Sequence, residues 1–259
     1  EDQRNFEKGD VKLPEAEFDK LSSKVYASFS LHDDATIYTS VSEGFRSGGL
    51  NNPGATAPSY EPEELINYEM GIKTTLFDKR LYAELAFFYS DYSDYQTGTQ
   101  DLTATPPTSA TLNAGAAEIK GLEWHFQWAA TQHLSLGFSG NVTDAEVTDV
   151  DLTPAAILEG DPVNLVPENS YSFNADYRFD WFSSSPGFIR LDYNRQGKSS
   201  NADRLAGVVP ELIHTKPFSL INLNIGAQWE MLRVSLFGRN LSDEDQPVMR
   251  VTGGQDPQS

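Results

Sequence analysis

Residues Tyr68 to Tyr92 read YEMGIKTTLFDKRLYAELAFFYSDY, and their alternation decides the fold. Ile66, Tyr68, Met70, Ile72, Thr74 and Leu76 fall on one parity, and Asn67, Glu69, Gly71, Lys73 and Thr75 on the other. That is the period of a strand with one apolar face, not of a helix. After the polar corner Phe77-Asp78-Lys79-Arg80 the alternation resumes as Leu81, Ala83, Leu85, Phe87 and Tyr89 against Tyr82, Glu84, Ala86, Phe88 and Ser90. The stretch is therefore a hairpin with a tight turn. Each arm runs to roughly ten residues, longer than the usual soluble strand of about five or six. That length is enough to cross a bilayer as a tilted strand of ~9–11 residues.

Composition is compatible with such a wall. The chain has 259 residues and no run of about 18 apolar residues that would make a transmembrane helix. Its mean hydropathy of -0.45 suits strands that face lipid on one side only. Cysteine is absent, which excludes disulfides and thiolate metal sites. With 19 Lys and Arg against 38 Asp and Glu, the net charge is -19. This argues against a nucleic-acid partner, since phosphate binding needs clustered cations.

Outward from the central hairpin the pattern repeats. Residues 1–20 are acidic and aperiodic, with Pro14 among them, and read as a loop. Val25, Ala27, Phe29 and Leu31 alternate with polar neighbours, His32-Asp33-Asp34-Ala35 turns the chain, and Thr36 to Phe45 returns. A Gly-, Pro- and Asn-rich loop leads into the central hairpin, and another, Thr97 to Ala110 with Pro106-Pro107, follows it. Leu112 to Ala130 reads as one strand, Thr131-Gln132-His133 as a corner, and Leu134 to Val142 as the next apolar face before an acidic loop from about Glu146 to Pro167. Tyr171 to Trp181 is the cleanest strand, Ser183 to Gly187 a corner, and Phe188 to Arg195 a strand of muddier period. A loop to Lys216 precedes the last pair, Ile221 to Trp229 and Leu232 to Leu236.

About ten strands result, and short corners alternate with long loops throughout. In an antiparallel up-and-down sheet this sorts the short turns to one side and the long loops to the other, the asymmetry of outer-membrane β-barrels. Trp128, Trp181 and Trp229 lie beside short turns, where an interfacial girdle belongs. The fold expected is all-β, an antiparallel up-and-down transmembrane β-barrel; the competing reading is a soluble all-β binding or adhesion module, separable by its need for detergent.

Several segments also resemble successive strands of a TonB-dependent receptor's barrel domain: Ser23-Lys24-Val25, TIYTSVSEGFRSGG (Thr36 to Gly49), YEMGIKTTLFDKRL, FFYSDYSDYQ (Phe87 to Gln96), NAGAAEIKGLEW (Asn113 to Trp124) and LFGRNLSDED (Leu236 to Asp245). They span nearly the whole chain in the family's order. The resemblance implies that residues 1–259 are about ten strands from the C-terminal part of a probable 22-stranded barrel. The plug, the first barrel half and the last strand would lie outside it. Such a piece leaves two unpaired edges and should not close by itself. It implies a bacterial outer-membrane location, contact with outer-membrane lipids, coupling to the TonB complex through the plug, and import of a scarce substrate, most often a ferric siderophore. Cobalamin or oligosaccharide import, or a passive porin, are the alternatives.

Catalytic and resident-cofactor signals are lacking. No GxSxG elbow or phosphate-cradling glycine loop occurs, and His32, His125, His133 and His214 lack metal-ligand spacing. Asp149, Asp151 and Glu159 read as a solvated acidic loop rather than a calcium loop, because the glycine of the sharp turn is missing. In the family, ligand is held by lumen-facing and apical-loop residues. The resemblance thus nominates the loop cations and aromatics Arg46, Tyr60, Tyr95, Arg195, Arg204 and His214, suited to an anionic or catecholate iron chelate.

Overall fold

Ten long strands hydrogen-bond in one antiparallel sheet, each beside its neighbour in the up-and-down order. The computed structural model describes residues 18–55, 57–101, 108–151, 157–181, 185–201, 212–229 and 231–245. Along the chain run β1 (Lys24–His32), β2 (Ala35–Arg46), β3 (Gly49–Leu50), β4 (Ser59–Tyr60), β5 (Glu63–Leu76), β6 (Leu81–Ser93), β7 (Gln96–Asp101) and β8 (Thr108–Asn113). They are followed by β9 (Gly115–Ala129), β10 (Leu134–Val150), β11 (Asn169–Trp181), β12 (Ser185–Gln196), β13 (Ser200–Asn201), β14 (Ile213–His214), β15 (Phe218–Trp229) and β16 (Leu232–Gly238). The wall has the order β1-β2-β5-β6-β9-β10-β11-β12-β15-β16 and is open, with β1 and β16 each paired on one side.

The short corners have local causes. Phe77, Asp78 and Lys79 all take positive φ, from 55° to 64°, which tightens the turn between β5 and β6. Thr131 Oγ1 accepts the His133 and Leu134 amides at 3.1 and 3.0 Å, a side-chain turn that starts β10. Trp181 pairs with Ser185 and Trp229 with Leu232 across the last two corners.

Register turns the sequence alternation into two continuous faces. Ile37, Ile72, Leu85, Trp124, Gly140 and Tyr171 stand in one row across six strands. On the opposite parity Lys73, Glu84, His125, Ser139, Ser172 and Asn194 form another. Among the described residues of the ten wall strands, every exposed large apolar side chain except Tyr26 and Phe237 belongs to the apolar parity. Gly140 sits under this face, where an added Cβ would meet the rings of Trp124 and Tyr171 within 2.9 Å. Its bare Cα lets those two rings stack at 5.8 Å between centroids.

Three stretches differ from expectation. The long loops contain hairpins of their own, β3–β4, β7–β8 and β13–β14. Leu112 to Ala130 is not one strand: the chain leaves β8 at Asn113 and enters β9 at Gly115, whose φ of 126° admits the break that most residues resist. Strand β10 runs on to Val150, past the point where an acidic loop was expected, with Asp144 and Glu146 on the parity of the apolar face and Lys120 of β9 paired to Asp144 at 3.1 Å. There the wall has changed its outer surface from apolar to charged.

Candidate functional site

The long loops all emerge at one end of the wall and fold together into a mouth. Asn51 stitches the β2–β5 connection to β8, giving its Nδ2 to Thr111 O at 2.8 Å and accepting the Thr111 amide at 2.7 Å. Asn113 does the same to Glu61, accepting its amide at 2.8 Å and donating to its carbonyl at 2.9 Å. Each side-chain amide thus serves as one extra backbone rung. Between them lies buried Gln96, whose Nε2 donates to Ser47 O at 3.1 Å and Glu61 O at 2.9 Å, while its amide donates to Glu63 Oε2 at 2.6 Å. Arg46 completes the knot, with Nη2 3.1 Å from Glu63 Oε2 and 2.8 Å from Gln96 O.

The β10–β11 connection folds back beside the upper end of β10. Val147 donates to Asp161 O at 2.8 Å, and Val163 donates to Ala145 O at 3.0 Å. Ile157 thereby packs with Val147 and Ala114, at 2, 1 and 0% exposure, and Tyr95, Val150 and Leu212 close over them. Burial, and then the Glu63 carboxylate, holds the Tyr95 phenol above its ordinary range. Leu165 donates to Ser200 O at 2.8 Å and ties this connection to the β13–β14 hairpin.

Below the mouth the polar face has two characters. Across β1 to β9 it is ionic and aromatic: Lys73 Nζ lies 2.9 Å from Glu84 Oε1 and 5.0 Å from the centre of the Tyr38 ring, on which Tyr26 stacks, while Tyr82 donates to Glu84 at 2.7 Å. Across β10 to β15 it holds a groove of about 360 Å³ lined by hydroxyls, amides, Tyr171, Phe218 and Arg195, where Ser172 Oγ donates to Asn194 Oδ1 at 3.0 Å.

The nominated residues fall in different places. Arg46 is committed to Glu63 and Gln96, and Tyr95 is part of the mouth's packed cluster. The Tyr60 ring lies over Gly49, where an added Cβ would meet its Cζ at 2.8 Å. His214 Nδ1 lies 2.8 Å from Ser200 Oγ on the β13–β14 hairpin. Arg195 stands opposite Tyr171 in the β11–β12 register, and both line the groove across β10 to β15. Arg204 lies outside the described residues. Sequence reasoning passed over Gln96, Glu63, Asn51 and Asn113. The contacts that knit the mouth, Gln96 to Glu63 and Asn51 to Thr111, span 33 and 60 residues, so no local pattern marks them.

Comparison with known proteins agrees with this architecture. A family model described as TonB dependent receptor-like, beta-barrel matches residues 2–241. The pesticin receptor of Yersinia pestis is 31% identical over 153 residues, 58% of this chain and 21% of that protein. The metal-pseudopaline receptor CntO of Pseudomonas aeruginosa is 29% identical over 171 residues, 64% of this chain and 22% of its own. The crystal structure of the ferric yersiniabactin uptake receptor FyuA from Yersinia pestis superposes with a TM-score of 0.72 over 89% of this chain and 33% of that one, at 24% identity. The chain spans about a fifth of the length of these curated relatives. All three are receptors, not enzymes. With its up-and-down wall, its loops gathered at one end and a family match over nearly its whole length, the chain belongs to the TonB-dependent receptor-like β-barrel family, whose members are outer-membrane proteins of Gram-negative bacteria.

Proposed function

We propose that residues 1–259 are the C-terminal part of the barrel of an outer-membrane receptor that imports a metal chelate, most simply a ferric siderophore, with energy drawn through TonB. The observation that carries this reading is the one-sided wall: ten strands with a lipid-compatible face and a polar face below a mouth of packed loops. In a closed barrel of the family's strand number the polar face lines a wide lumen, which leaks unless a separate plug fills it. Import therefore requires a plug and a means of moving it, which we assign to the remainder of the receptor. The relative named for metal-pseudopaline supports a metal-chelate cargo. Of the residues nominated for cargo contact, Tyr60, Arg195 and His214 are the three we carry forward among the described residues, since Arg46 and Tyr95 hold the mouth together.

The test is uptake. Cells lacking the intact receptor should lose uptake of one iron-loaded siderophore under iron starvation, and collapsing the inner-membrane proton gradient should abolish that uptake in wild-type cells. Uptake that persists after the gradient is collapsed favours a passive porin.

A further inference from the structure

The groove across β10, β11, β12 and β15 is lined unlike the rest of the chain. Acidic residues outnumber basic ones by 38 to 19 in the sequence, yet none of the residues around the groove is acidic and one, Arg195, is basic. Arg195 is exposed and makes no ion pair among the described residues. The volume, about 360 Å³, is within the ~300–1,000 Å³ of ordinary ligand sites.

The other side chains supply donors. Ser172 Oγ gives its hydrogen to Asn194 Oδ1 at 3.0 Å, which occupies an acceptor of that amide and leaves its two N–H groups for a ligand. Ser139 and Ser170 add hydroxyls, and Phe218 adds an aromatic face. The described carboxylates nearby along these strands are engaged elsewhere. Asp192, two residues from Asn194 on β12, has Oδ1 3.4 Å from Arg190 Nε; Glu168, just before β11, has Oε1 2.8 Å from Lys198 Nζ. Glu244 Oε2 accepts the Ser219 amide at 3.4 Å. An anionic oxygen entering the groove therefore exchanges its water for a guanidinium and neutral donors, with charge-assisted hydrogen bonds as the gain.

We infer that this groove binds a carboxylate carried on an aromatic body, with Arg195 as its cationic partner, the Asn194 amide as a second donor and Phe218 as the surface under the ring. This rests on the import reading above and narrows its substrate class to chelates that present such a group. Arg195 then sets specificity, and Asn194, held by Ser172, fixes the direction from which the oxygen is met.

The experiment titrates benzoate and its neutral isostere benzamide onto the intact receptor purified from outer membranes, with binding followed by ligand-observed NMR. Benzoate should bind about fivefold more tightly than benzamide, or better. Arg195→Gln should erase that preference by weakening benzoate alone, and Arg195→Lys, which keeps the charge, should retain most of it. Asn194→Asp should weaken benzoate and spare benzamide, whereas Phe218→Ala should weaken both alike. A selective loss of one isostere cannot arise from misfolding, and heat-modifiable gel mobility confirms the fold of each variant. Equal affinity for the two isosteres, binding of neither, or benzoate affinity indifferent to Arg195→Gln overturns the inference. None of those outcomes touches the import reading, which falls only if uptake of the iron chelate survives collapse of the proton gradient.

Discussion

The wall and the mouth solve the burial problem in opposite ways. On the wall the large apolar side chains lie outside, with Phe29 at 64% and Met70 at 62% exposure, whereas in the mouth Val147 and Ile157 are almost completely enclosed. In water the first arrangement would be a liability. In lipid it is the stable one, since every backbone group of a central strand is satisfied by its ladder and the apolar face meets apolar solvent. The mouth stands above the membrane and is built like a small soluble domain, with an apolar cluster and buried amide knots. One chain therefore reads by two codes, and the change occurs along β9 and β10, where Leu122 and Val142 give way to Lys120 and Asp144 on the same parity.

The comparison can be broken most severely at the wall. Arg at Phe173, mid-strand on the apolar face, should cost about 2–4 kcal/mol of barrel stability near the bilayer midplane, while Arg at Asn174 should be tolerated. Urea unfolding of the intact receptor in lipid vesicles would register the difference, and equal costs would erase the distinction between faces. A smaller effect is expected at Gly71 on the polar face, where a Cβ would meet Leu85 O at 2.6 Å and the Tyr38 ring at 2.7 Å. Gly71→Val should cost about 1–3 kcal/mol by overpacking, read in the same unfolding assay.

In the mouth the consequences should be local. Ile157→Val should cost about 0.5–1.5 kcal/mol, visible as faster proteolysis of the 151–168 connection on intact cells with the barrel's unfolding unchanged. Loss of the whole barrel would mean that mouth and wall are one cooperative unit. The smallest effect concerns pH. The folded value of the Tyr95 phenol is raised, so its stabilising contribution is fully present below its unfolded value of about 10 and fades as the pH rises through the folded one. Proteolysis of the mouth loops should accelerate only in that alkaline range, and Tyr95→Phe should remove the step.

The wall was legible in the sequence because lipid on one side and polar groups on the other write a period of two that each strand carries by itself. Phe188 to Arg195 was harder to read because Phe188 occupies the polar face, its ring lying over Gly226, where an added Cβ would meet it at 2.7 Å. The mouth was not legible for a different reason. Gln96–Asp101 is polar on both parities, Thr108–Asn113 has only Ala110 and Leu112 to mark a face, and the acidic outer surface of upper β10 mimics a loop. The nominated cations were chosen by residue type, and what decides the availability of Arg46 is Glu63, while Arg195 lines the groove. The amides of the groove are indistinguishable in sequence from any other polar wall residue.

The most direct test uses the absence of cysteine from this chain. Single cysteines placed in turn from Phe173 to Phe179 of the intact receptor, spin-labelled in lipid vesicles, report contact with dissolved oxygen, which concentrates in lipid, and with a water-soluble nickel chelate. The expected result is a strict alternation, with oxygen favoured at 173, 175, 177 and 179 and the nickel chelate at 174, 176 and 178. Uniform accessibility to the nickel chelate along the strand would contradict a membrane wall with one lipid face.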